Sequence, residues 1–177
     1  NCNSMKKIVL FIFLGLISCK NSMKQRRSSG GVFGTTYSVI YDSKKDLKQE
    51  FEQVFDEINR SMSTYMPNSI ISKVNNNRTT SIDTHFKTVF ETSKLIFDET
   101  NGRFDPTIGA VVNAWDFGPE GKIEKLDSIK IKHLMHSVGL DKVSIDGFQI
   151  IKPNATIIDF NAIAKGYGVD QIGELLA

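Results

Sequence analysis

The chain has 177 residues, of which 40% are hydrophobic and 24% charged, with a formal net charge of +2. That is the balance of an ordinary globular protein, long enough for one domain with a real core or for part of a larger one. The small net charge points to no polyanionic partner, and no basic cluster is interleaved with aromatics, so nucleic acid is not an expected ligand.

The first residues read as an address. Met5 is the expected initiator, which makes residues 1–4 upstream readthrough. Lys6-Lys7 and the apolar run 8–17 follow as the charged and hydrophobic regions of a signal peptide over residues 5–18. The run is shorter than the about 20 residues of a permanent membrane helix. It ends in Leu16-Ile17-Ser18-Cys19, which resembles the lipobox of bacterial lipoproteins. Cys19 is then the expected lipidated first residue of an exported protein, anchored on the extracytoplasmic face of a bacterial cell membrane or outer membrane; a plain secreted protein is the alternative. With Cys19 lipidated and Cys2 upstream of the start, no disulfide framework is expected. Residues 20–31 are Ser, Asn, Lys, Arg and Gly with almost nothing apolar, and read as a flexible tether.

The folded domain is expected over residues 32–177. Residues 34–41, opening with Gly34-Thr35-Thr36-Tyr37, predict a strand; Gly34 either admits a ligand close to the backbone or simply starts the strand. Leu47, Phe51, Val54, Phe55, Ile58 and Met62 recur at helical spacing and predict a core-packing helix. Ser63-Thr64-Tyr65-Met66-Pro67-Asn68-Ser69 reads as a turn and 75–81 as a loop. A second amphipathic helix is expected from Asp83, with Phe86, Val89, Phe90, Ile96 and Phe97 inward, stopping at Asn101-Gly102. His85, in its first turn, reads as a surface residue rather than a ligand.

The next stretch is dense in unusual residues: Arg103-Phe104-Asp105-Pro106-Thr107-Ile108-Gly109, then Val111-Val112-Asn113 and the only tryptophan in Trp115-Asp116-Phe117-Gly118. It is either a buried helix start with Asp105 as its cap or a chemical site. A short third helix is expected over 127–138; its His133 and His136 could share a face, but no zinc set is completed nearby. Val143, Ile145, Phe148, Ile150, Ile157 and Ile158 predict short strands with turns at Asp146-Gly147 and Pro153-Asn154, giving a sheet with helices laid against it. The last strand delivers Asp159 into Phe160-Asn161-Ala162-Ile163-Ala164-Lys165-Gly166-Tyr167, where a final helix is expected to carry Val169, Ile172 and Leu175 inward. A helix start offers unpaired N–H groups and partial positive charge to a phosphate. There Asp159 can accept from a ribose or adenine, and Lys165 can meet a phosphate as a point charge.

Four of these stretches, those around Gly34, Tyr65, Asp105 and Asp159, resemble in order and spacing the signatures of the FAD:protein FMN transferases, the ApbE-type flavin transferase family. The resemblance covers residues 31–177. It implies an α+β fold, a mixed or antiparallel sheet packed with helices, of which this chain holds the N-terminal part. Family members continue well over a hundred residues beyond the lysine-glycine corner, so a truncated protein or partial reading frame is expected, inactive alone. The resemblance implies FAD contacts at Phe33, Tyr65, Arg103, Phe104, Asp105, Asp159 and Lys165, and a backbone carbonyl ligand for Mg2+ at Ala162. Phe33 stands where the family usually has methionine; the main metal and base residues are expected beyond Ala177. The implied reaction is Mg-dependent transfer of FMN from FAD to a threonine hydroxyl of a flavin-accepting protein, a respiratory redox subunit, with release of AMP. Alternatives are Mg-dependent hydrolysis of FAD to FMN and AMP, or a lipid-anchored flavin-binding protein without turnover.

Overall fold

In the computed structural model, residues 22–121 and 123–177 are described; the signal region 5–18 and Cys19 lie outside them. The fold begins with a hairpin. β1 (Lys24–Val32) pairs antiparallel with β2 (Thr35–Ser43), in register from Lys24 opposite Ser43 to Val32 opposite Thr35. Phe33 and Gly34 alone make the turn, with φ of 47° and 70°, the two positive values that match a hairpin's right-handed twist. Residues 24–31 therefore belong to the domain, and the tether read there is corrected. Their polar composition hid a strand because an antiparallel partner supplies backbone hydrogen bonds whatever the side chains are. The hydroxyls of Ser28 and Tyr41 also pair at 3.1 Å in the interior, and Arg26 donates to the carbonyls of Ser43 and Lys44.

The long helix α1 (Lys48–Met62) packs against this hairpin and buries Phe51, Phe55, Ile58 and Met62, four of the residues whose spacing predicted it. Tyr41 fastens strand to helix: its hydroxyl accepts from the Leu47 N–H and donates to the Asp46 carboxylate. A short helix the sequence did not signal, α2 (Ile70–Asn75), starts at Ser69, whose Oγ accepts from the Ser72 N–H. α3 (Thr84–Glu99) starts at Asp83 as expected, and Asp83 Oδ1 accepts from both the Phe86 N–H and the Ser61 hydroxyl, tying α3 to α1. A one-and-a-half-turn helix α4 (Gly109–Ala114) and α5 (Ser128–Leu134) follow.

β3 (Ser144–Asp146) and β4 (Gln149–Ile151) form a second hairpin whose two-residue turn is Gly147-Phe148, one residue later than expected, because Asp146 still pairs with Gln149. Among the described residues the two hairpins are separate two-stranded sheets, so one shared sheet is not formed, while the α+β character is. Ile157 and Ile158 do not make a strand; Ile157 forms a single parallel bridge with Ile108. The main core gathers Ile58, Phe86, Val89, Leu140, Ile150 and Phe160 under this layer of helices. The last helix, α6 (Asn161–Leu176), crosses α1 and α3. It buries Gly168 and Ile172, one turn apart, so Val169, about 100° further round the helix, points outward and is 71% exposed. Leu175 is likewise at the surface rather than inward.

Candidate functional site

The site is made where two sequence-distant corners meet. The first corner follows α3, where Asn101 and Gly102 take consecutive left-handed conformations, φ 52° and 74°, and the Gly102 N–H returns to the Phe97 carbonyl. The Thr100 hydroxyl accepts from the Phe104 N–H, so the chain doubles back at a fixed angle. Asp105 then organises its own turn. Oδ1 accepts from the N–H and the hydroxyl of Thr107 at 2.8 and 2.6 Å, and Oδ2 accepts from the Leu140 N–H at 3.2 Å. Thr107, completely buried, accepts in turn from the Gly139 N–H at 2.7 Å. Of the two readings open for Asp105, capping is the one its contacts satisfy, though it caps the turn ahead of α4 rather than the helix, whose N-cap is Ile108.

The second corner is locked to the first by backbone. The Gly109 N–H donates to the Ile157 carbonyl at 3.1 Å and the Asp159 N–H to the Pro106 carbonyl at 2.7 Å. A Cβ on Gly109 would lie 2.8 Å from that same carbonyl oxygen, so only glycine permits the approach. Beyond it Asp159 turns the chain into α6: its Oδ1 accepts from the Asn161 N–H at 2.7 Å and its Oδ2 from the Asn161 amide at 3.1 Å. Burial pushes the Asp159 carboxyl above its ordinary value of 3.8, against the pull of those two hydrogen bonds.

Two cavities open on either side of the start of α6, and Asn161 lines both. The larger, about 630 Å³, is walled by Arg103, Phe104, Asp105, Phe117, Asp159 and Ala162 among others. The other, about 360 Å³, is walled by Phe33, Gly34, Tyr65, Met66, Ala164 and Lys165 with residues of α1. The seven residues expected to contact FAD and Ala162 are thus all on the walls of these two cavities. Tyr65 links them: its hydroxyl donates to the Phe117 carbonyl at 3.0 Å. Gly34, in the hairpin turn, has nothing within 4 Å of a would-be Cβ and is open toward the smaller cavity. Phe33 leans its ring edge-on to Phe55, with centroids 5.6 Å apart, and lies over Gly168.

Arg103 and Lys165 are exposed and make no side-chain hydrogen bond or ion pair among the described residues. Arg103 on the larger cavity and Lys165 on the smaller can therefore each offer a cation to a phosphate, while the larger cavity also carries the carboxylates of Asp105 and Asp159. At the α6 start the N–H of Asn161 is taken by Asp159, and those of Ile163 and Ala164 by the Phe160 carbonyl. Sequence reading missed Phe117 and Asn161 as wall residues. Phe117, 71% exposed beside a Trp115 that is 56% exposed, carries a detectable signal: an aromatic pair in a Trp-Asp-Phe-Gly turn that no helix or strand period accounts for.

His85 spends Nδ1 on the Tyr167 hydroxyl at 2.8 Å, and the rings of His133 and His136 are 6.1 Å apart. Among the described residues no group of three or more His, Cys, Asp or Glu converges as a metal site. Ala162 lines the larger cavity, where both carboxylates already accept hydrogen bonds from Thr107, Leu140 and Asn161. Magnesium demands close to six oxygen ligands, so these residues could supply a part of its shell and not the whole.

The family model described as the ApbE family matches residues 33–177. The FAD:protein FMN transferase of Haemophilus influenzae is 32% identical, over 97% of this chain and 56% of its own length. That of Vibrio cholerae is 29% identical, over 96% and 54%. Among solved structures, the flavin transferase ApbE from Vibrio cholerae superposes with a TM-score of 0.81 at 29% identity, covering 87% of this chain and 53% of that one. The apo flavinyl transferase ApbE of Pseudomonas stutzeri does so with 0.79 at 27%, covering 88% and 55%. The chain spans about half the length of these relatives. The expected motifs, the corners they form and the match of both sequence and fold lead to one conclusion: this chain belongs to the ApbE family.

Proposed function

We propose that the protein is an FAD:protein FMN transferase and that this chain supplies much of its FAD-binding wall. The observation that carries the reading is that all the residues expected from the family signatures, scattered from Phe33 to Lys165, line the two cavities that share Asn161. In this reading Tyr65 and Phe33 offer ring area to the flavin. Asp159 accepts from the ribose or adenine, and Arg103 and Lys165 meet the pyrophosphate. Asp105 holds the wall in shape, its carboxylate being engaged by Thr107 and Leu140. The hydroxyl oxygen of a threonine on the acceptor protein, a respiratory redox subunit, attacks the FMN phosphorus, and its proton passes to a base outside this chain. The new P–O ester forms as the bond to the bridging oxygen breaks, and AMP leaves with that oxygen. Magnesium, when bound, offsets the charge of the pyrophosphate. Ala162 would give it one backbone oxygen, with the rest of its shell from the substrate and from residues outside this chain.

Export belongs to the same proposal: cleavage before Cys19 and its lipidation would hold the domain at a membrane on the extracytoplasmic side. Radiolabelled palmitate incorporation that disappears in Cys19→Ala tests that part.

The activity is tested by incubating the full-length protein with FAD, Mg2+ and a threonine-bearing acceptor peptide, with intact-mass detection. An added FMN phosphoester that is lost with EDTA establishes the transfer. Free FMN and AMP beside unmodified peptide would replace it with FAD hydrolysis, and bound but unchanged FAD would leave a flavin-binding protein.

A further inference from the structure

Helix α6 carries part of the wall of the smaller cavity, yet little in its own first two turns holds it there. Phe160 at its N-cap makes no side-chain capping bond, and Gly166 and Gly168 flank Tyr167. Glycine is the poorest helix former after proline. Gly168 is required where it stands, because a Cβ would lie 2.8 Å from the Phe33 ring, but Gly166 has nothing within 4 Å and only loosens the turn. Ile163, Ala164 and Tyr167 pack against the main core. Apolar contact is non-directional, so it does not by itself choose the rotation of the helix.

A directional contact does. Among the described residues one side-chain hydrogen bond ties α6 to another helix: the Tyr167 hydroxyl and His85 Nδ1 are 2.8 Å apart, with the rings edge to face at 5.8 Å. The other side-chain bonds of α6 stay local, Asn161 to Asp159 and Gln171 to Glu174. Burial, with Glu174 and Asp83 nearby, raises the Tyr167 phenol above its ordinary value of 10.0, so it keeps its proton as a donor. On the far side of the imidazole, Glu57 Oε2 of α1 stands 3.9 Å from Nε2. That carboxylate favours the tautomer protonated at Nε2, which leaves Nδ1 to accept. His85 also stands on a fixed base, since its helix is pinned to α1 by the Ser61 hydroxyl donating to Asp83 at 2.7 Å.

Residues two apart on a helix lie about 200° apart round its axis. With Tyr167 held at the back, Lys165 is turned to the front, exposed on the wall of the smaller cavity beside Ala164. We propose that His85 and Tyr167 are positioning residues whose hydrogen bond sets the rotation of α6, and so the place where Lys165 meets the pyrophosphate of FAD. The inference rests on the reading of this cavity as part of an FAD site.

The test uses the full-length protein. Tyr167→Phe and His85→Leu each delete one end of the bond, and His85→Asn keeps an amide oxygen that can accept from the phenol. Hydrogen exchange reads the helix without FAD. The amides of Lys165 and Gly166 should exchange about 3- to 10-fold faster in Tyr167→Phe and His85→Leu, relative to amides in the middle of α1, and near the wild-type rate in His85→Asn. Equal acceleration in both places, or none, would overturn the proposal. Should His85→Leu fail to fold, Tyr167→Phe decides, because it removes a single oxygen and keeps the ring.

FAD affinity, followed by flavin fluorescence, gives a readout that bulk stability does not move. Tyr167→Phe should weaken binding about 3- to 10-fold in the protein with Lys165 and leave it unchanged on a Lys165→Met background, because the bond acts through that cation. Equal losses on both backgrounds would remove the positioning role. A wild type that binds no FAD sinks the flavin reading and this role with it. A wild type that binds FAD no better than Tyr167→Phe sinks this proposal alone.

Discussion

The hydroxyl of Tyr65 donates to the carbonyl of Phe117 at 3.0 Å, joining two turns 52 residues apart in sequence, one on the wall of each large cavity. Tyr65 is 62% exposed, so the bond holds a ring that core packing does not. Tyr65→Phe keeps the ring and frees the turn at Phe117, and a net loss of about 0.5–1.5 kcal/mol is the ordinary worth of such a bond. FAD affinity, followed by flavin fluorescence, is expected to fall severalfold in Tyr65→Phe. It should fall about tenfold or more in Tyr65→Ala, which also removes the stacking surface. Equal affinity in all three proteins would remove Tyr65 from the site.

Asp105 gives a prediction in which stability and binding move together. Asp105→Ala leaves the N–H groups of Thr107 and Leu140 without their acceptor. At roughly 1–3 kcal/mol for each stranded donor, a loss of about 3 kcal/mol in urea unfolding is expected. FAD binding should fall in proportion to the unfolded fraction and to the loosened wall. A variant that melts like wild type but no longer binds FAD would instead make Asp105 a direct ligand with a free carboxylate.

Gly109 is a packing prediction. A methyl group there would sit 2.7 Å from Ile157 Cγ2 and 2.8 Å from the Ile157 carbonyl oxygen. Because one of those neighbours is backbone, it cannot swing away, and Gly109→Ala is expected to cost about 1–3 kcal/mol, the usual toll of overpacking. Gly166→Ala, on α6 with nothing within 4 Å of the new methyl, is the control and should be neutral or slightly stabilising in thermal melts.

Asp159 sets a pH dependence with a definite sign. Its folded carboxyl titrates above the ordinary 3.8 because burial disfavours the charge. The stability it contributes is therefore complete below the ordinary carboxylate value and is lost as pH rises through the raised folded value. Asp159→Asn deletes that loss while its amide oxygen can still accept from the Asn161 N–H. The melting temperature of the variant minus that of wild type should become more positive between about pH 4 and pH 7. A difference that is flat or falls across this range would show that the hydrogen bonds from Asn161, and not burial, dominate the carboxyl.

Much of this architecture is legible before any coordinates. The spacing of Phe51, Phe55, Ile58 and Met62 fixes α1, and Asp83 ahead of Phe86 and Val89 fixes the start of α3, since helix period and capping chemistry are local. β1 was not legible, because Lys24-Gln25-Arg26-Arg27-Ser28-Ser29 acquires its strand character from β2 and nothing in its own composition. The outward turn of Val169 was lost for a related reason: hydrophobicity alone does not say which of two neighbouring stripes on α6 meets α1.

By itself the sequence determined the residue types and their order: an apolar period for each long helix, a glycine where the chain must turn left-handed, and the set of aromatic, acidic and basic residues from Phe33 to Lys165. Only the tertiary structure decided how those residues are shared out. It assigned them to two cavities on either side of the α6 start, engaged Asp105 inward with Thr107 and Leu140, and set Asp159 on the wall of the larger cavity with both oxygens held by Asn161. The physical reason is that helix and turn signals act over a few residues. The meeting of Pro106 with Asp159, of Gly109 with Ile157 and of Tyr65 with Phe117 depends instead on hydrogen bonds and close packing between segments that only the assembled core brings together.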